Sequence, residues 1–140
     1  MTCITGNWRS TPTVDAINVT TNQNILLTGI GLYKGPTGAG YEVDVEISQD
    51  TTSLFKKRLT VPPTTGDENQ LKVSMNEPIF IQTGIVYSVK ALSHGNIGHF
   101  GGTCQAVCTK GEVTFTFTED QQSRHTNPTN GQIPRLYFCF

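Results

Sequence analysis

Residues 41–47 alternate without a break, with Tyr41, Val43, Val45 and Ile47 on one side and Glu42, Asp44 and Glu46 on the other. Side chains of a strand point to opposite faces with period two, so this segment predicts a strand with one face for a core and one for water. The apolar run ahead of it, residues 25–33, carries Gly29 and Gly31. Two glycines inside such a run predict a bulge or a close approach of backbones, and not a helix. The two segments are joined by a Gly- and Pro-rich loop, 34–40.

The same pattern continues along the chain. Ile17 and Val19 mark the buried face of a strand over 15–20, and Asn22-Gln23-Asn24 supplies the turn after it. Residues 54–61 predict an edge strand, because Lys56, Lys57 and Arg58 are the side chains that discourage pairing with another chain. Pro62 and Pro63 end it, since neither can donate to a ladder. Leu71, Val73 and Met75 alternate with polar residues; Glu77-Pro78 predicts a break, and 79–81 a further short strand. Ile85, Tyr87, Val89 and Ala91 mark the next strand, then Val113, Phe115 and Phe117, and 133–140 closes the chain. Apolar residues nowhere keep helical spacing beyond a turn. Short strands separated by frequent turn signals predict an all-β fold, an antiparallel β-sandwich, formed as a single domain over 1–140.

Composition narrows the partners. A net charge of −1, with only 15% charged residues, leaves no basic stripe to neutralise phosphates, so no nucleic acid is expected. The N-terminus lacks the charged start and apolar stretch of a signal peptide. No apolar run reaches the roughly 18 residues of a membrane span. A cytoplasmic location follows as the expectation, with Cys3, Cys104, Cys108 and Cys139 reduced and the Asn18-Val19-Thr20 sequon unused. The end on Tyr137-Phe138-Cys139-Phe140 suits a domain cut from a longer chain, and the isolated domain is expected to be monomeric.

Catalytic and metal constellations are weak. His94, His99, Cys104 and Cys108 offer zinc-type donors, but without a C-x2-C knuckle. Cysteines four apart on a strand sit roughly 13 Å from each other, too far for one ion or for a disulfide. Cys108 and Cys139 are expected to be small buried apolar groups. Ser93, His94 and Asp120 make a triad only on paper, since no nucleophile-elbow motif frames the serine. Asp44 and Glu46 share a strand face at a glycosidase-like spacing, but the expected reading is the solvated side of a sheet. Trp8, Phe115, Phe117 and Phe138 are expected in the core. Phe100, set between His99 and Gly101-Gly102, is the aromatic whose surroundings suit an interface anchor.

Four stretches, in this order, resemble the PHR domain, named for the Pam/Highwire group of very large ubiquitin ligases. They are Trp8 with Asp15-Ala16-Ile17; Gly29-Ile30-Gly31-Leu32-Tyr33; Met75-Asn76-Glu77-Pro78-Ile79; and Asn130-Gly131-Gln132-Ile133-Pro134-Arg135-Leu136-Tyr137-Phe138. The third is similar to the family's F-x-E/D-P-V step and the fourth to its closing G-Q-I-P strand. Gly98-His99-Phe100-Gly101-Gly102 is similar to its loop of Gly, aromatic and further Gly. The sequence departs from the family at Lys34, where a Gly is usual, and at Lys56-Lys57-Arg58 and Pro62-Pro63.

The resemblance implies a sandwich without catalytic activity or cofactor. It also implies docking of a protein partner or ligase substrate, in a giant ligase or after the BTB domain of an adaptor. These 140 residues contain no RING-type cysteine array, so they do not transfer ubiquitin themselves. Rigid sheets would present loops 33–40 and 93–102, with Lys34, Pro36, His94, Asn96, His99 and Phe100 as candidate contacts. The alternative is a sandwich that binds carbohydrate or another small ligand through the same loops. That alternative favours a secreted, disulfide-bonded chain, so four reactive thiols after denaturation without reductant would argue for the protein-binding module.

Overall fold

The computed structural model describes residues 4–6, 13–35, 40–63, 66, 70–94, 100–102, 107–119 and 135–140. Its strands are β1 (Ile4–Gly6), β2 (Thr13–Thr21), β3 (Ile25–Tyr33), β4 (Tyr41–Gln49), β5 (Thr52–Val61), β6 (Gln70–Ile81), β7 (Tyr87–His94), β8 (Phe100–Gly102), β9 (Val107–Lys110), β10 (Val113–Glu119) and β11 (Arg135–Cys139). Every strand pairing is antiparallel. One sheet has six strands in the order β5-β4-β7-β2-β10-β9, a second has three in the order β11-β3-β6, and β1 pairs with β8. The result is an antiparallel β-sandwich, with no helix among the described residues.

The inner positions build one apolar cluster. Ile17 and Val19 of β2, Val43, Val45 and Ile47 of β4, Val89 and Ala91 of β7, and Phe115 and Phe117 of β10 supply it from the larger sheet. Ile25, Leu27, Ile30 and Leu32 of β3, with Val73, Met75, Ile79 and Ile81 of β6, supply it from the smaller. Ile25 and Leu27 cannot share a face with Ile30 and Leu32 if side chains alternate strictly. The register shift between Leu27 and Gly29 resolves this by absorbing a residue, which is the predicted bulge.

The partner strand absorbs the same shift. Leu27 pairs with Ile79 and Gly29 with Ser74, so residues 75–78 pass without a partner on β3 inside one continuous strand. Glu77-Pro78 was expected to break the chain into two strands, and it does not. Pro78 is exposed on a strand at the sheet edge, where its missing N–H interrupts no internal ladder. Strand β5 occupies the opposite role as the edge of the larger sheet, as its basic residues predict.

The two ends of the sandwich differ. At one end the strands are joined by tight turns: 22–24, 50–51, 82–86 and 111–112. Asn22 caps one of them by accepting the Thr114 N–H at 2.7 Å, and Gly84 and Gly111 take the positive φ these turns need. At the other end Tyr33, Tyr41, Val61, Gln70, His94 and Arg135 lie close in register, and the longer connections leave from there. That end is tied across the sheets. Gly35 donates its N–H to the Pro62 carbonyl and bridges Pro63, while the Tyr41 hydroxyl donates to the Tyr33 carbonyl.

Candidate partner-binding surface

The long-connection end carries His94 and Lys34, two of the predicted contact residues. His94 is the last residue of β7 and pairs with Glu42, so it stands on the rim with 37% of its side chain exposed. Lys34 differs from expectation. It is buried at 9% exposure, because the bridge between Gly35 and Pro63 clamps its segment against the end of β5. Phe100, expected in a loop, lies in β8 opposite Gly6; pairing with β1 overrides the low strand tendency of the glycines after it. Pro36, Asn96 and His99 lie outside the described residues, as do Trp8 and Asp120.

Below His94 the outer face of the larger sheet is a charge ladder. Glu42, Asp44 and Glu46 run down β4, flanked by His94, Leu92 and Lys90 on β7 and by Thr60, Arg58 and Lys56 on β5. Arg58 bonds Glu42 at 2.9 Å, Lys90 bonds Glu46 at 3.0 Å, and His94 Nε2 lies 3.2 Å from Asp44 Oδ2. Carboxylates held in this way are ion-paired surface groups, in keeping with the solvated-face reading of Asp44 and Glu46. The hydrogen bond from Lys90, more than any other contact, holds the Glu46 carboxyl below its ordinary value of 4.5.

A depressed carboxyl stabilises the fold above its unfolded-state value and loses that contribution as pH falls through its native value. Lys90→Gln should therefore lower stability by up to about 1 kcal/mol at pH 7. The deficit should begin to shrink as pH falls below 4.5 and vanish only once Glu46 is protonated in both folded proteins. Thermal midpoints of the two proteins between pH 7 and about pH 3 measure this, and a deficit independent of pH would assign it to packing instead.

Other chemistry is dismantled by facing. Ser93 is fully buried on the inner face and His94 stands on the outer one, so they cannot act as nucleophile and base. His94 and Cys108 are separated by strands β2 and β10, a lateral gap of roughly 14 Å by strand spacing alone, and stand at opposite ends of the sheet, so they cannot share an ion. Cys139 is exposed, not buried as expected, because Leu136 and Phe138 take the inward positions of β11. Cys108 is half-buried beside Phe115. Phe115 and Phe117 are core residues, and Phe138 packs edge-on against Phe115 at 4.9 Å.

Two features were not singled out from the sequence. Along the flank where edge strands β5 and β6 face each other runs a cleft of about 520 Å³, with Phe55, Lys57, Asn76 and Glu77 among its walls. Lys57 holds it open: it occupies an inward position between Phe55 and Leu59, yet remains exposed. The second is the outer face of the smaller sheet. Gly31 stands between Arg135 and Lys72 in one cross-strand row, and Gly29 between Tyr137 and Ser74 in the next. The Lys72 ammonium lies 4.4 Å from the centroid of the Tyr137 ring. Arg135 and Tyr137 alternate with Leu136 and Phe138, a signal legible in the sequence once both faces of the closing strand are read.

Comparison with known proteins agrees with this architecture. The PHR domain family model matches residues 2–139. BTB/POZ domain-containing protein 6 of Xenopus tropicalis is 31% identical over 136 residues, covering 94% of this chain and 25% of that protein. Protein 6-B of Danio rerio is 32% identical over 136 residues, covering 94% and 28%. Human BTB/POZ domain-containing protein 3 is 27% identical over 135 residues, covering 94% and 26%. The chain thus spans about a quarter of the length of these relatives. With the ordered motifs, the sandwich and the family match in agreement, the chain belongs to the PHR domain family.

Proposed function

We propose that this PHR domain is a non-catalytic protein-interaction module. Within a longer chain it holds a partner or substrate for ubiquitin-ligase machinery, by contacts from the long-connection end. The observation that carries this reading is the asymmetry of the sandwich: tight turns close one end, and the strands that enter the longer connections, β7 with His94 among them, end at the other. A rigid frame that presents loops from one end suits recognition, because little order must be created on binding. The BTB/POZ name of the relatives supports the adaptor setting. Glu42 and Glu46 on the outer face are ion-paired with Arg58 and Lys90, which suits a surface for contact and not for proton transfer.

The test is quantitative capture from cytoplasmic lysate by wild-type protein, by His94→Ala with Asn96→Ala and His99→Ala, and by a turn-end control, Thr51→Ala. The loop variant should lose its specific partners about tenfold or more while keeping its thermal midpoint. The control should retain them. Equal retention by all three proteins would remove the loop end from the interface. Ubiquitin-ligase components among the captured proteins would support the finer reading, and their absence from every specific set would count against it.

A further inference from the structure

The three-stranded sheet is too narrow to cover the six strands it packs against, and the shortfall shows on β5. Phe55, Lys57 and Leu59 take its inward positions, yet Phe55 and Leu59 are only partly buried and Lys57 is exposed. The cleft of about 520 Å³ opens over Phe55 and Lys57, with Ser74, Asn76 and Glu77 of β6 as its far wall. Solvent reaches both walls: Lys57, Ser74, Asn76 and Glu77 are all exposed.

That far wall is a free sheet edge. Strand β6 is terminal in its sheet, and among the described residues no backbone hydrogen bond reaches it from the cleft side. The Val73 carbonyl oxygen faces Gly29 of β3, so by alternation the N–H and C=O groups of Lys72 and Ser74 point to the free side. Lys57 has no carboxylate partner among the described residues, whereas its neighbour Arg58 is paired with Glu42 on the outer face. Glu77 lines the same cleft without bonding to Lys57. With Leu54, Pro78 and Phe80 it also lines an adjoining hollow nearer the closed end.

An unpaired ammonium on an inward face and an open row of backbone donors and acceptors beside it share one complement, an extended strand bearing an acid. We propose that a peptide from a partner protein adds to β6 along residues 70–76, as a fourth strand of the smaller sheet. It seats an Asp or Glu on Lys57, and apolar side chains two residues to either side cover Phe55 and Leu59. Every second side chain of an extended chain falls on one face at about 6.7 Å, which is the spacing of the β5 row itself. Pro78 ends the pairing toward the closed end, because it has no N–H to offer. The ladder supplies affinity and Lys57 selects, since a strand without an acid would bury the ammonium unpaired. The inference rests on reading the chain as a protein-binding module, but not on the loop end as its site.

A phage-displayed library of random dodecapeptides, panned on this chain, provides the probe, and enriched peptides are titrated by fluorescence anisotropy. The expected result is enrichment of an acidic residue with apolar residues two positions to either side. Lys57→Glu should weaken these peptides about tenfold or more and should bind versions that carry Lys in place of the acid. Lys110→Gln, on the opposite edge strand of the larger sheet, should leave affinity unchanged. Bound peptide should slow hydrogen exchange at the Lys72 and Ser74 amides, and thermal midpoints should show both variants folded. Unchanged affinity in folded Lys57→Glu would overturn the proposal, as would enriched peptides without the acidic pattern, or exchange at Lys72 and Ser74 that peptide does not slow. Binding lost in His94→Ala and kept in Lys57→Glu would move the site to the loop end, sinking the edge site while sparing the interaction reading. Self-association of the chain through this flank, with no peptide enriched, would also overturn it.

Discussion

Tyr87→Ala should reduce the free energy of unfolding by about 3–5 kcal/mol, the range for removing a large aromatic from a packed core. Tyr87 is among the largest fully buried side chains of the protein. It opens β7, pairs with Val19 of β2 and packs into the cluster that both sheets share. Its hydroxyl also accepts the Gln82 N–H at 2.9 Å, which anchors the turn joining the two sheets at the closed end. Tyr87→Phe separates these roles. It keeps the ring and leaves the Gln82 N–H without its acceptor, and should cost about 1 kcal/mol. Urea unfolding of the three proteins measures both, and an alanine variant within about 1 kcal/mol of wild type would show that the neighbouring residues collapse into the space.

Gly29→Ala is the second large effect. A Cβ at Gly29 would lie 2.8 Å from the Val73 carbonyl oxygen, an atom of the facing backbone and not a side chain that can swing aside. The ladder between β3 and β6 must therefore part, at the bulge that puts Leu27 and Ile30 on the same face. The overpacking should cost about 1–3 kcal/mol. That outweighs the few tenths to about 1 kcal/mol that alanine contributes by restricting the unfolded chain. Denaturant midpoints decide the sign. A variant as stable as wild type would mean that β6, as an edge strand, yields without loss.

Strands whose pattern is set by burial were legible in the sequence. Residues 41–47 and 113–117 alternate because one face meets the core and the other meets water, and both are found so. Ile25–Tyr33 was legible for a different reason: its paired glycines have no use in a core strand except to let a neighbour approach. Pro78 misled, since proline marks a break only where the missing N–H would be needed, and edge position cannot be read from one segment. Phe100 misled for a related reason, because β8 is a strand through a long-range pairing with β1 that local propensity does not contain.

The candidate contacts show the same division. His94 was expected in the loop 93–102 and is instead the last residue of β7, because its pairing with Glu42 carries the strand further than the apolar alternation does. Lys34 was misplaced because its burial depends on Pro62 and Pro63, residues distant in sequence that close over the end of β3. The row Arg135–Gly31–Lys72 was invisible for the same cause: its members come from three strands, and only the register joins them.

Lys57, inward on β5 yet exposed, has a consequence for neighbours of the same kind. A second sandwich sliding up to this flank would have to strip water from an ammonium caught between Phe55 and Leu59, at a cost no added ladder bonds would recover. Copies brought together by a larger assembly should therefore remain separate beads and not fuse into a continuous fibre. A neutral residue here would remove that safeguard without touching the core.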